Sequence, residues 1–86
     1  MIAQTLKEAD DDLKNAENQW AEAVFAFVHP EIIRQSRVER KTYTKGATDF
    51  IELWMDGEIL LGRMTMRKDV DGMDIVCTTP TRRYGY

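Results

Sequence analysis

The sequence predicts an α+β fold, with a long N-terminal helix and a short second helix packed on a four-stranded antiparallel meander sheet. Three observations predict it. Apolar residues keep a heptad spacing over residues 2–27, His29-Pro30 breaks that pattern, and beyond Ser36 the apolar period changes to two. Helices followed by strands, rather than alternating with them, make an α+β sandwich of two layers.

The first helix carries Ile2, Leu6, Ala9, Leu13, Ala16, Trp20, Ala23 and Phe27 on one seam. The bulky column (Leu6, Leu13, Trp20, Phe27) fills the sides, and the small column (Ala9, Ala16, Ala23) lets another backbone approach. Thr5-x-x-Glu8 has capping-box spacing. Val24, Phe25 and Val28 widen the stripe before Pro30, which lacks an amide donor, stops the helix. Pro30 then suits the first position of a short helix over residues 31–35, with Ile32 and Ile33 as its apolar contacts.

Strands are expected over residues 37–45, 48–55, 58–67 and 73–78, separated by Lys45-Gly46, Asp56-Gly57 and Asp71-Gly72. Residues 1–80 form one domain, and residues 81–86 a flexible tail. A two-residue turn at Asp56-Gly57 sets Leu53 opposite Leu60 and Ile51 opposite Gly62. Ile51, Leu53, Met55, Leu60, Met64 and Met66 then share the core face, joined by Met73, Ile75 and Cys77. In this pairing Asp69 opposes Asp74, an unfavourable pair of like charges that a longer loop would relieve. Phe50, Trp54, Ile59, Leu61 and Val76 fall on the outer face among Glu52, Arg63, Thr65 and Arg67. Solvent alone does not tolerate so much apolar surface.

A helix over residues 5–28 is about 36 Å long at ~1.5 Å per residue. A seven-residue strand spans only about 24 Å. The helix therefore overhangs its own sheet, with Ile2, Leu6, Ala9 and Leu13 as an exposed seam. A second copy, antiparallel across a two-fold axis, covers that seam and makes a homodimer.

Charge is segregated behind the net value of −3. Residues 1–31 sum to −5, whereas residues 32–45 sum to +4. The single cysteine, Cys77, cannot form an internal disulfide and points to a reducing, cytoplasmic setting. No apolar run is long enough to span a bilayer, so a membrane role is not expected.

Chemistry-bearing residues are sparse. His29 stands alone before proline and reads as a turn residue, and Cys77 falls on the core side of a strand. Asp69-Val70-Asp71-Gly72-Met73-Asp74 lacks the late glutamate of a calcium loop, and Asp10-Asp11-Asp12 cannot converge on a single point of a helix. No catalytic set, metal site or cofactor is expected, and the chain does not read as an enzyme. Arg34, Arg37, Arg40, Lys41 and Lys45, with Arg82 and Arg83 in the tail, interleave with Tyr43, Tyr84 and Tyr86. That mixture is the footprint of a nucleic-acid-binding regulator, the alternative reading.

In size and composition alone, the chain resembles small accessory proteins of bacteriophages and mobile elements. That resemblance implies binding to a host protein complex, which it inhibits or modulates. The leading expectation is a homodimeric protein-binding module. Phe50, Trp54, Ile59 and Leu61 form its apolar centre, with Arg63 and Arg67 at the rim.

Overall fold

The computed structural model describes the backbone of residues 2–69 and 72–86 and the side chains of residues 14–68 and 72–86. The side chains of the expected dimer seam, Ile2, Leu6, Ala9 and Leu13, lie outside the described residues, as do those of Asp10–12. Two helices and a four-stranded antiparallel meander make an α+β fold. Helix α1 (Ile2–Phe25) is followed by a tightened turn in which the Phe27 amide donates to Val24 O and the Val28 amide to Phe25 O. Helix α2 (Pro30–Gln35) opens with Pro30, whose missing donor costs nothing there. His29 caps it, its Nδ1 accepting from the Glu31 amide at 3.1 Å.

Strands β1 (Val38–Lys45), β2 (Thr48–Met55), β3 (Ile59–Asp69) and β4 (Gly72–Cys77) stand in sequence order across the sheet. Asp56 and Gly57 both take positive φ, 56° and 70°, and the Glu58 amide donates to Met55 O. The turn thus forms at the expected residues, but the first pair beyond it is Met55 with Ile59.

Leu61 changes the faces. Trp54 pairs with Leu60 and Leu53 with Gly62, so Leu61 is an extra residue opposite neither. A bulge of this kind reverses the in–out alternation on one side of itself. From Gly62 onward the expected parity stands, with Met64 buried and Met66 half-buried. Before it the parity is inverted. Leu61 is 2% exposed in the core and Ile59 packs against that core, whereas Leu60 is turned outward. The expected outward placement of Ile59 and Leu61, and the inward placement of Leu60, are corrected accordingly.

The second hairpin also differs. Asp69 pairs with Gly72, two residues from the expected register, which sets Arg67 opposite Asp74. Opposite charges thereby replace the unfavourable pair of acids.

Among the described residues of the α1 side, Trp20, Val24 and Val28 are buried, four apart, while Ala23 is exposed. Of the expected alanine column, Ala16 packs against the core, Ala23 does not, and the side chain of Ala9 lies outside the described residues. A straight helix of 3.6 residues per turn drifts off a strict heptad seam. The small residue at the approach is on the sheet instead. A Cβ built on Gly62 would stand 2.6 Å from Thr78 O and 2.9 Å from Val24 Cγ2. Beside it, Trp20 Nε1 donates to Thr78 O at 2.8 Å. Ile51, Leu53, Met55, Leu61 and Met64 complete the core from the sheet.

Within the last six residues, expected as a flexible tail, Tyr84 and Tyr86 make contacts with the chain before α2. Tyr84 forms a parallel bridge with Val28, its amide donating to Phe27 O at 2.8 Å and its carbonyl accepting from the His29 amide at 2.9 Å. The tail fills the corner between α1 and α2, where Tyr86 meets the His29 ring edge-on.

Gly62→Ala is expected to destabilise the fold by about 1–3 kcal/mol, because neither Thr78 O nor Val24 can recede without loosening the helix. Chemical denaturation of the variant beside the parent chain checks this.

Candidate interaction surface

The outer face is organised around one buried carboxylate. Glu52 sits mid-strand on β2, between Lys41 on β1 and Arg63 on β3, with Phe50 and Trp54 two residues away on the same face. Although its face is the solvent side, Glu52 is only 5% exposed. Its Oε2 accepts from Tyr43 Oη and from Arg63 Nε, both at 2.8 Å, and Oε1 accepts from Trp54 Nε1 at 2.9 Å. Burial pushes the carboxyl up. The three hydrogen bonds and the Arg63 charge outweigh that effect and hold it below the ordinary glutamate value. The same bond holds the Tyr43 phenol above its usual range.

Aromatic and cationic groups close over this centre. Tyr43 stacks on Phe50 with ring centroids 4.7 Å apart and planes within 8°. Lys41 Nζ stands 5.1 Å from the Trp54 ring centroid, and the Arg63 guanidinium 5.9 Å from that of Phe50. The result is a plate of Tyr43, Phe50, Trp54 and Leu60, bordered by Lys41, Arg63 and Arg67.

Of the expected partner-binding residues, Phe50, Trp54, Arg63 and Arg67 share this plate, whereas Ile59 and Leu61 belong to the core. Sequence reasoning places Glu52 on this face without a role and assigns Lys41 and Tyr43 to the nucleic-acid alternative, so their joining of the plate is new. The signal was present in the tight connection at Gly46-Ala47, which fixes Tyr43 opposite Phe50 and Lys41 opposite Glu52.

The basic set does not converge. Arg34 pairs with Glu31 on α2, Arg37 with Glu39, and Arg40 with Glu17 of α1. Arg82 and Arg83 lie over Tyr84 and Tyr86 at the tail, leaving Lys41 on the plate and Lys45 at the end of β1. Cys77, expected with Met73 and Ile75 in the core, is exposed like the rest of β4, and partial desolvation raises its thiol above the usual value. Among the described residues, no three His, Cys, Asp or Glu side chains gather as metal ligands, and no helix is long and apolar enough to cross a membrane. Comparison with family models, curated proteins and solved structures finds no match to this chain.

Because the folded-state pKa of Glu52 is depressed, its stabilising effect is complete above the unfolded glutamate value and is lost as pH falls through the folded one. Glu52→Gln is expected to lower stability at neutral pH by about 1–3 kcal/mol. It should also shrink the loss between about pH 5 and pH 3. Denaturant midpoints across that range measure both effects.

Proposed function

We propose that this chain is a small non-catalytic protein-binding module that docks on another protein through the outer face of its sheet. The observation that carries the reading is the plate around Glu52, in which Tyr43, Phe50, Trp54 and Arg63 are locked together by stacking and by three hydrogen bonds to one carboxylate. Tyrosine, tryptophan and arginine are the residues on which interface energy concentrates, and side chains already held in place lose little entropy on binding. Leu60 takes the apolar role expected of Ile59 and Leu61. Lys41, Arg63 and Arg67 supply the polar rim.

A module of this size acts by occupying its target's surface, so its effect is inhibition or modulation, as in the phage and mobile-element accessory proteins it resembles in size. The lone thiol supports a reducing, cytoplasmic setting. A long N-terminal helix with the seam Ile2, Leu6, Ala9 and Leu13, and a homodimeric state, belong to the same reading. Intramolecular pairing of Arg34, Arg37 and Arg40 favours a protein over nucleic acid as partner.

Phe50→Ala tests the plate best, because Phe50 holds no bond to Glu52. The immobilised parent chain should retain a protein from cell extract that Phe50→Ala retains at least about tenfold less, with an unchanged circular dichroism spectrum. Equal retention by both would remove the plate from the reading. Capture of nucleic acid that weakens steeply with salt would instead favour the alternative regulator.

A further inference from the structure

The two edges of the sheet are built differently. β1 carries Glu39, Arg40, Lys41 and Lys45 along its eight residues, the kind of charge that discourages a further strand from joining. β4 has one charge, Asp74, and leaves Met73, Ile75 and Val76 at 37%, 38% and 60% exposure. Among the described residues β4 ends the sheet. The tail bonds Phe27 and His29 beside Val28 through Tyr84.

The ladder fixes which backbone groups are free. The Thr78 amide donates to Arg63 O at 2.8 Å, so Arg63 and Thr78 form a hydrogen-bonded pair. Antiparallel ladders alternate, which makes Thr65 with Val76 and Arg67 with Asp74 the next such pairs. The N–H and C=O groups of Met73, Ile75 and Cys77 therefore point away from β3. Their side chains share the inner face with Met64 and Met66, opposite which Cys77 and Ile75 stand.

We propose that β4 pairs antiparallel with β4 of a second copy of this chain across a two-fold axis at Ile75. This rests on the homodimer reading and moves its contact from the α1 seam to β4. In this register Ile75 faces the partner's Ile75 and Met73 faces the partner's Cys77, so all three free N–H and C=O sets bond across the seam. Asp74 faces the partner's Val76. Sliding the axis to Asp74 would set two aspartates face to face and use fewer backbone groups. Sliding it to Val76 would also lose bonds within β4. The strand is complementary to itself in one register, which is why the occupant is a second copy rather than a foreign strand. The sheet then becomes one of eight strands, with the two outer-face plates on the same side.

Cysteine cross-linking in the full chain tests the register. Met73→Cys introduces a thiol opposite the partner's Cys77, and mild oxidation should convert most of the protein to a covalent dimer. An internal bridge is out of reach, since residues 73 and 77 are about 13 Å apart along one strand. The parent chain, whose Cys77 faces a methionine, should stay uncrosslinked under the same treatment. Ile75→Lys should raise the dimer dissociation constant about tenfold or more, read by light scattering with size exclusion, while its melting transition persists. A parent chain that is monomeric at tens of micromolar overturns the homodimer reading and this contact together. A dimer that Met73→Cys does not trap overturns the β4 contact alone.

Discussion

Leu61 has no partner across the sheet, and the arrangement of the whole molecule follows from that. With Trp54 paired to Leu60 and Leu53 to Gly62, two successive residues of β3 point to the same side. Leu61 enters the core, and Gly62 is brought under α1 where a side chain would collide with Val24 and Thr78 O. Helix and sheet meet closely at this point. Trp20 can then reach Thr78 O, a carbonyl free for it because the Arg63 amide bonds Thr78 Oγ1 instead. A strand without the bulge would present Leu60 to the helix and Leu61 to water.

The opposite face is settled by an electrostatic constraint. A carboxylate shielded from solvent costs free energy unless its oxygens are fully engaged. Glu52 meets that demand with a phenol from β1, an indole from its own strand and a guanidinium from β3. Each donor is thereby immobilised, and two of the three are aromatic. The buried acid thus acts as a clamp that holds the exposed rings in one arrangement, which is the property a docking surface requires.

Charge is distributed unevenly over the remaining surface. Arg34, Arg37 and Arg40 are answered within the protomer by Glu31, Glu39 and Glu17, which blunts a broad positive field there. These exposed pairs add little stability. Their effect is on recognition, since among the described residues they leave the plate and the sparsely charged β4 edge with unmet potential. One is aromatic, the other an open row of backbone donors and acceptors.

Local chemistry was readable from the residues alone. His29-Pro30 had to end a helix, Asp56-Gly57 had to turn, and the change of apolar period had to mark the passage from helix to sheet. Phe50, Trp54, Arg63 and Arg67 were placed on one face by alternation within strands that the bulge leaves in phase. Contacts that depend on distant partners were not readable. Ile59 and Leu61 changed sides because nothing local announces an unpaired residue. Ala23 was released because the close approach came from Gly62, and the tail was held by Phe27 and His29. Sequence by itself determined where the chain turns and which residues alternate, because φ/ψ preferences and side-chain period act over a few neighbours. Only the tertiary structure decided which of two parities each segment adopts and what satisfies Glu52, because those follow from long-range packing and desolvation.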